Sequence, residues 1–582
     1  MNRFSVSCLC LIWVCTTPLF AQTKWFNPLN EAISVIQNQG FPDEIGKTFV
    51  RLPDRAKGKV RPEVWNLSRN SSGLSIHFYS NAPQITVRYG VSSQFAMDHM
   101  PATGVSGVDL YAINSEGEWL NLTGEYRFGD TITYQYNHIT KDAYHQAGYE
   151  YRLYLPLYNT VKWMEIGVPE EASFEFIPRR REAPVVVYGT SIAQGGCASR
   201  PAMGWTNILE RLLDRPVINL GFSGSGRLEK EVLDFIKEID ASIYVLDCYP
   251  NLIYTDKEEV VRLTTDAVRQ LRETRPKIPI LICEHPGYTD ARINPEHNTL
   301  QTRVNETGHQ AFSLLKEEGI EGLYYLSFDE IGMPADARVD YVHLTDWGMM
   351  VQAEAYEKKI RVILHEPIGQ TVTTRPVSQR REPQMYEWKK RHDEILRLNE
   401  SDPPKRVILG NSIINYWGGT PIAKSQNGPK SWAKYMEPAG FRNLGYGWDR
   451  IENLLWRVYH GELDGFQAQE IVVKIGTNNL DRDDDEEIVR GIVFLLKAIQ
   501  QRQPEARIKV LGILPRRDRE SRIAGLNRAI AEAIAPLGLS LTDVGGPLLK
   551  EDGKIDESCF SDGLHPNEKG YGKIVKRIIH EK

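Results

Sequence analysis

Short runs of alternating apolar and polar residues dominate the chain from about residue 25 to 177. Examples are Leu74–Tyr79, Gln84–Tyr89, Tyr149–Tyr154 and Val161–Ile166, with glycine, asparagine, proline and aspartate between such runs. A period of two places every second side chain on the same face of a β-strand. The pattern predicts an antiparallel β-sandwich over residues 25–180, each sheet with one buried face.

The pattern changes after residue 180. From Ala183 to about His365, and again from Arg406 onwards, apolar strand-like runs alternate with stretches that carry apolar residues at helical spacing. Such alternation is typical of a mostly parallel sheet with helices on both faces. Residues 366–384 are rich in proline, threonine, glutamine and arginine without periodicity, which predicts a linker. We therefore predict α/β domains over 183–365 and 385–582.

The start of the chain predicts a secretory signal peptide over residues 1–21. Arg3 supplies a positive charge, Cys8–Leu19 is a short apolar core, and Ala21 is a small residue at a cleavage position. Such a core is too short for a stable membrane span. We therefore expect an exported chain, periplasmic or extracellular, without stable membrane insertion.

Composition changes this picture little. The 582 residues carry a net charge of −6, with 41% hydrophobic and 25% charged residues, as is ordinary for globular domains. This charge gives no support for nucleic-acid binding, and we expect none. Four of the seven cysteines follow the signal segment, without metal-ligand spacing, at Cys197, Cys248, Cys283 and Cys559. We expect no metal or cofactor, and the exported compartment permits a disulfide without specifying one.

Two apolar strand-like runs end in Gly-x-Ser, and each is followed by Asp-x-x-His at nearly the same separation. A serine hydroxyl becomes a nucleophile when a histidine takes its proton and a carboxylate orients that histidine. Parallel sheets place such groups at the carboxyl ends of their strands. The repeat therefore predicts two catalytic triads. They consist of Ser191, Asp340 and His343 in the first copy and of Ser412, Asp562 and His565 in the second.

Each copy also offers two donors for the oxyanion that forms during acyl transfer. A glycine-rich turn follows the second strand of the copy, and an asparagine follows the third. A backbone N–H and a side-chain amide at these places can hydrogen-bond an oxyanion. In the first copy the amide block does not read Gly-x-Asn, so its geometry is altered. The predicted donors are Gly224 and Asn251 in the first copy and Gly447 and Asn478 in the second.

These blocks resemble the SGNH (GDSL-like) hydrolases, whose marker residues are serine, glycine, asparagine and histidine. The second copy is similar to the platelet-activating-factor-acetylhydrolase-like branch, although Gly410-Asn411-Ser412 departs from the usual Gly-Asp-Ser. Upstream, Gly107–Tyr111 resembles the Gly-x-Asp-Leu-Tyr sequence of a β-sandwich that precedes SGNH domains in secreted bacterial carbohydrate acetylesterases. The resemblance implies two flavodoxin-like three-layer α/β domains after the β-sandwich.

The same resemblance implies a secreted serine esterase that removes acyl groups from carbohydrates, with O-acetyl as the expected group. Its substrate is then an acetylated oligo- or polysaccharide. Two alternatives stay open at this point. A lipase or lysophospholipase-type esterase should show a broad apolar groove beside the serine. A carbohydrate-binding protein with one or both sites inactive should lack the triad geometry.

Overall fold

The computed structural model describes residues 22–379 and 388–579. The signal peptide predicted over 1–21 and the last residues of the predicted linker lie outside these ranges. In the described part of the chain, no helix combines the length and the apolar character that a bilayer crossing requires.

The chain begins with two antiparallel sheets that face each other. Their strands are β1 Thr23–Phe26, β2 Ile36–Gln37, β3 Ser75–Ser80, β4 Ile85–Val91, β5 Asp109–Ile113, β6 Trp119–Leu122, β7 Glu125–Arg127, β8 Ile132–Tyr136, β9 Tyr149–Tyr154, β10 Val161–Pro169 and β11 Phe174–Phe176. One sheet has the order β1-β10-β4-β8-β7 and the other β11-β3-β9-β5-β6, with β2 beside β3. Alternate residues such as Ile76, Phe78, Val87 and Tyr89 fill the space between the sheets. The predicted β-sandwich is confirmed.

A segment without strands interrupts the sandwich between β2 and β3. It holds the short helices α1 Pro42–Ile45 and α2 Pro62–Leu67, while α3 Ala102–Val105 follows later in the sandwich. Phe41, Leu52 and Val64 of this segment belong to the apolar core of the first α/β domain, not to that of the sandwich. The sequence pattern did not predict that this segment packs on the α/β domain, because the contacts are formed with residues far along the chain.

The first α/β domain has five parallel strands, in the order β13-β12-β14-β15-β16. They are β12 Val185–Gly189, β13 Val217–Gly221, β14 Ile243–Asp247, β15 Ile280–Cys283 and β16 Leu323–Leu326. The helices are α4 Ser191–Gln194, α5 Trp205–Leu213, α6 Lys230–Ile236, α7 Lys257–Thr274, α8 Pro295–Glu317, α9 Phe328–Ile331 and α10 Asp346–Ile363. This strand order is that of the flavodoxin-like fold, in which ligands bind where the order reverses, beside the first strand.

Strand β12 explains why the domain has three layers. All five of its residues are buried, and they point alternately to the two faces of the sheet. Val185 and Val187 pack in the core that contains α5 and α10, whereas Val186 and Tyr188 pack in the core that contains α6 and α7. A β-branched run of this kind is stable only when helices cover both faces.

The second α/β domain repeats this architecture. Its strands are β17 Arg406–Gly410, β18 Phe441–Gly445, β19 Glu470–Lys474, β20 Arg507–Leu511 and β21 Leu541–Thr542. Its helices are α11 Trp388–Ser401, α12 Ser412–Asn415, α13 Pro429–Ser431, α14 Ile451–Tyr459, α15 Asp485–Arg502, α16 Glu520–Ile534 and α17 Glu568–Ile579. The order β18-β17-β19-β20-β21 is again flavodoxin-like. The predicted fold class is confirmed for both domains.

One carboxylate joins the sandwich to both α/β domains. Asp214, just after α5, accepts hydrogen bonds from Arg152 of the sandwich at 2.5 Å and from the indole N–H of Trp456 in α14 at 3.0 Å. The hydroxyl of Ser378, in the connecting segment, donates to the same carboxylate at 3.1 Å. Three separate parts of the chain therefore converge on a single charge whose side chain is only 15% exposed.

The described part of the connecting segment packs against its surroundings. Glu366 is buried and accepts from Arg215 at 2.8 Å and from Arg502 at 3.2 Å. The hydroxyl of buried Thr373 donates to Glu487 at 2.7 Å. Residues 366–379 therefore form an ordered connection, although their composition is typical of a flexible linker.

Replacing Asp214 should destabilise the whole chain. Asp214→Asn keeps the shape but removes the charge that faces Arg152, and breaking a buried ion pair in this way costs about 3–5 kcal/mol. Differential scanning calorimetry should show a lower melting midpoint. Asp240→Asn is the matched control, because the side chain of Asp240 is 81% exposed and its pairing with Arg275 contributes little. Equal melting of the two variants would contradict this role of Asp214.

Candidate active sites

Both predicted serines stand at the first position of a short helix directly after the first strand of their domain. Ser191 opens α4 after β12, and the hydroxyl oxygen of Thr190 accepts from the Ile192 N–H at 3.3 Å. Ser412 opens α12 after β17, and the side-chain oxygen of Asn411 accepts from the Ile413 N–H at 3.1 Å. The residue before the serine is therefore a helix N-cap, which explains why asparagine serves in place of aspartate.

In the first domain the structure brings the predicted triad together. The hydroxyl of Ser191 lies 2.9 Å from Nε2 of His343, and Nδ1 of His343 lies 2.7 Å from Oδ2 of Asp340. Both distances are those of a nucleophile bonded to its base and of a base bonded to its orienting carboxylate. Ser191 is only 9% exposed, so neighbouring residues cover most of its surface.

The second domain has the same geometry. The hydroxyl of Ser412 lies 2.8 Å from Nε2 of His565, and Nδ1 of His565 lies 2.7 Å from Oδ2 of Asp562. Ser412 is 6% exposed. The two arrangements agree although the sequence between their blocks differs.

Both carboxylates are held in the ionised form. Burial opposes ionisation of Asp340, but hydrogen bonds from the His343 ring and from the Val342 and His343 N–H groups outweigh it and lower the pKa of Asp340. The same balance of burial against hydrogen bonds from His565 and the Leu564 N–H lowers the pKa of Asp562. Each histidine therefore faces a negative charge that orients its ring through Nδ1.

The strand register shows which residues of the two domains are equivalent. Gly189 pairs with Gly221 of β13, and Gly410 pairs with Gly445 of β18. Three residues beyond these partners the chain reaches Gly224 in the first domain and Trp448 in the second. Both have left-handed backbones, with φ of +65° and +66°.

The residue of the second domain that is equivalent to Gly224 is therefore Trp448, which follows Gly447, the oxyanion donor that the sequence predicted. The counterpart of Gly447 is Ser223, whose N–H already donates to the side chain of Gln194 at 3.0 Å. A backbone donor requires only an N–H group in the left-handed turn, so this position does not require a glycine. Gly224 is itself the donor that the sequence predicted in the first domain.

The two predicted amides also occupy equivalent places. Gly189 pairs with Asp247 and Gly410 with Lys474, and Asn251 and Asn478 each follow four residues later. The first domain reaches this place through a 3₁₀ turn, Tyr249–Asn251, where the second has the Gly-x-Asn turn. The altered amide block therefore changes the route of the backbone, while the asparagine stands the same number of residues after the paired strand residue.

Hydrogen bonds orient both amides. The side-chain oxygen of Asn251 accepts from the Gly226 N–H at 3.0 Å, and this bond does not use its NH₂ group. The NH₂ group of Asn478 donates one hydrogen to the Asp449 carbonyl at 2.9 Å. Because an amide nitrogen carries two hydrogens, the second remains for a ligand.

The sandwich supplies part of the first site, which the sequence analysis missed. The hydroxyl of Tyr158 donates to the carbonyl of Ser191 at 3.2 Å, and the hydroxyl of Ser72 donates to the carbonyl of Gln194 at 2.6 Å. The ring centre of His99 lies 6.1 Å from that of His343. No local sequence signal marks these residues, because they reach the site only through the packing of one domain on another.

One group within the described ranges could offer three ligand atoms to a metal ion. Cys197, Asp340 and His343 place these atoms within 4.8 Å of one another. Burial, with the charge of Asp340, raises the pKa of the Cys197 thiol to about 12, whereas metal binding requires the thiolate. The aspartate and histidine already bond each other, so the group fits a triad better than a metal centre.

Exposed aromatic side chains lie beside both triads. Tyr341, between Asp340 and His343, is 51% exposed and stacks on His297 with ring centres 5.1 Å apart. Trp448 is 48% exposed. It lines a cleft whose other described residues are Ser115, Tyr144, Ser378, Gln379, Arg450, Asn453 and Arg482. The described residues that line this cleft are therefore aromatic or polar, without an aliphatic side chain.

Comparisons with known protein families agree with this arrangement. Residues 182–361 and 408–573 each match a model of the GDSL-like lipase/acylhydrolase family. Residues 23–174 match the model described as the N-terminus of SGNH-hydrolase-type esterases.

Curated relatives and a solved structure give the same result. Platelet-activating factor acetylhydrolase IB subunit alpha2 of Rattus norvegicus is 30% identical over 199 residues, which are 33% of this chain and 82% of the relative. Subunit alpha1 of Homo sapiens is 27% identical over 196 residues, 33% of this chain and 80% of the relative. A GDSL-like lipase structure from Bacteroides ovatus superposes with a TM-score of 0.54 at 28% identity and covers 59% of this chain and 98% of its own.

The geometry predicts that both serines react with a fluorophosphonate. A hydroxyl bonded to a histidine base attacks phosphorus as it would attack an ester carbonyl. Intact mass spectrometry should find two labels per chain, one after Ser191→Ala or Ser412→Ala, and none after both changes. Heat-unfolded protein is the control and should stay unlabelled. A single label on the unchanged chain would show that one serine is not activated.

Proposed function

The chain belongs to the GDSL-like lipase/acylhydrolase family, and we propose that it is an exported esterase that removes acetyl groups from carbohydrate hydroxyls at two serine sites. The observation that carries the proposal is the pair of complete Ser-His-Asp arrangements, each with a backbone N–H and an amide beside it. The proposal includes export because Cys8–Leu19, which follows the positively charged Arg3, has the length of a signal-peptide core.

The proposed reaction is acyl transfer through the serine. The hydroxyl of Ser191 attacks the ester carbonyl while His343 takes its proton, and the intermediate expels the alcohol, which receives that proton. Water then attacks the acyl-enzyme by the same proton route, the acid leaves, and the serine hydroxyl is restored. Ser412 and His565 do the same in the second domain. In the first domain the oxyanion is stabilised by the N–H of Gly224 and the amide of Asn251. In the second it is stabilised by the N–H of Trp448 and the amide of Asn478.

Two observations support a carbohydrate acetyl ester. Tyr341 and Trp448 offer exposed rings beside the triads, and aromatic faces with polar neighbours suit the apolar face of a sugar ring. The cleft at Trp448 adds hydrogen-bonding groups and two arginines, Arg450 and Arg482. Serines that are less than 10% exposed suit a small acyl group such as acetyl better than a bulky one.

A phospholipid acetyl ester is the second candidate. It is favoured by the relatives, which are named platelet-activating factor acetylhydrolases and resemble this chain at 30% identity. The polar lining of the cleft at Trp448 favours the carbohydrate instead. A long alkyl chain would lose favourable burial in such surroundings.

A panel of acetyl esters separates these candidates. Acetate release should be fastest from acetylated oligosaccharides and slower from a phospholipid that carries an acetyl ester. Ser191→Ala and Ser412→Ala should each remove part of this activity and the double variant all of it, because the two triads are separate. Preference for the phospholipid would favour the second candidate. Binding of the glycans without acetate release would favour a binding protein with inactive sites.

The pH dependence provides an independent test. Since a neutral imidazole must act as the base, activity should fall as the pH is lowered through the range in which histidines are protonated, about 6 to 7. Asp340 and Asp562 should contribute no inflection there, because their pKa values are lowered and they stay ionised. Initial rates measured between pH 4 and 9 should show one acidic limb in each single-serine variant. Activity that is constant down to about pH 4 would contradict a histidine base.

A further inference from the structure

An arginine binds the free edge of the second strand in each α/β domain. Strands β13 and β18 are edge strands, so the carbonyls on their outer side have no partner strand. Arg51 donates to the carbonyls of Asn219 at 3.2 Å and Gly221 at 2.7 Å. Arg391 donates to the equivalent carbonyls, of Asn443 at 3.3 Å and Gly445 at 2.8 Å.

The two arginines do not come from equivalent parts of the chain. Arg51 belongs to the segment between α1 and α2, which precedes most of the sandwich, whereas Arg391 lies in α11, directly before the second domain. They nevertheless bind carbonyls at equivalent positions of two equivalent strands, β13 and β18. The similarity therefore extends to the contact but not to the element that supplies the arginine.

Neither guanidinium has a carboxylate partner within the described ranges. The remaining bonds of Arg51 go to the carbonyls of Asn70 and Leu67, and the third bond of Arg391 goes to the carbonyl of Pro421. Both side chains are almost fully buried, with 2% and 7% exposure. Burial lowers the pKa of Arg51 to about 9. Such unpaired buried charges are rare, because they cost free energy unless a specific contact compensates.

The bound strand end leads directly into the catalytic groups. The side-chain oxygen of Asn219 accepts from the Gly221 N–H, and its NH₂ group donates to the Ala193 carbonyl, two residues after Ser191. Asn443 makes the same bonds to the Gly445 N–H and to the carbonyl of Ile414, two residues after Ser412. Gly224 and Trp448 follow three residues beyond the bound glycine carbonyls. The guanidinium therefore restrains the strand end that carries the oxyanion N–H.

The aromatic residue between the strand end and the turn is held as well. The guanidinium carbon of Arg51 lies 5.0 Å from the ring centre of Phe222, and that of Arg391 lies 5.4 Å from the ring centre of Tyr446. These rings occupy equivalent positions, one residue after Gly221 and Gly445. A cation over an aromatic face adds a second attachment to the same turn.

We propose that Arg51 and Arg391 are positioning residues of the two esterase sites, which fix the oxyanion turn by binding the carbonyls of the strand before it. The inference rests on the proposed function, because it assigns the Gly224 and Trp448 N–H groups to oxyanion binding. A planar guanidinium holds five N–H donors in a rigid fork and bonds further carbonyls besides these two, whereas lysine has one ammonium on a flexible stem. Loosening this turn should weaken binding of the transition state more than binding of the substrate.

The test uses enzymes with one working site. In the Ser412→Ala background, Arg51→Lys should lower kcat of the first site by about tenfold or more and change KM by less than about threefold, because loss of an oxyanion donor costs about 10²–10³. Arg391→Lys should do the same to the second site in the Ser191→Ala background. Rates are divided by the number of serines that a fluorophosphonate titrates, so misfolded molecules do not count. Arg51→Met and Arg391→Met, which retain an apolar stem, repeat the test without a buried charge.

Matched controls remove the same kind of bond at the other end of the sheets. Arg272 donates only to carbonyls, among them those of Glu321 and Gly322 at the amino end of β16. Arg406 donates to the Ala439 carbonyl near the amino end of β18. Arg272→Lys and Arg406→Lys should leave kcat per titrated serine within about twofold, since neither residue touches the turn.

The rate constant of phosphonylation gives a readout that does not depend on the natural substrate. It should fall with kcat in Arg51→Lys and Arg391→Lys, because the phosphonate passes through the same oxyanion site. If the single-site parents hydrolyse no ester of the panel but react with the phosphonate, the proposed function fails and this rate still decides the role of the arginines. An unchanged phosphonylation rate and an unchanged kcat per titrated serine in both lysine variants would overturn the inference, as would parents that do not react at all.

Discussion

The pairing of each serine strand with its two neighbours fixes the relative positions of the serine, the proposed oxyanion turn and the amide in the two candidate sites. Gly189 stands opposite Gly221 and Asp247, and Gly410 stands opposite Gly445 and Lys474. Because these strands are parallel and in register, their carboxyl ends stop at the same level. The serine, the oxyanion N–H and the amide are then separated by short turns. A shift of one residue would remove all three from a common cleft.

This constraint explains which features could be predicted from the sequence. The apolar runs, the βα alternation and the four blocks are local features of the sequence. They predicted the fold class, and they predicted that Ser191, Asp340 and His343 form a triad. The equivalence of Trp448 with Gly224 was missed because it lies in a backbone torsion that the residue type does not reveal. Asn251 was assigned by its place after a strand, and the register supports that place although the motif around it is altered.

The contributions of the sandwich could not be predicted in this way. Arg51, Ser72 and Tyr158 reach the first site from segments that lie 170, 122 and 33 residues upstream of their partners, and nothing in their neighbourhood distinguishes them from ordinary strand or loop residues. The same holds for Asp214, whose partners come from three parts of the chain. Long-range polar contacts of this kind depend on how domains pack, and periodicity carries no information about packing between domains.

The origin of the two arginines has a consequence for modularity. Arg51 and Arg391 both lie outside the stretches by which the GDSL-like domains are recognised. A fragment cut at those limits would retain its Ser-His-Asp residues but would leave the outer carbonyls of the strand before the oxyanion turn bare. The smallest transferable unit is therefore the sandwich with the first domain, or α11 with the second. Recombination within this protein would have to respect those larger units, so the two hydrolase domains are not interchangeable parts despite their common architecture.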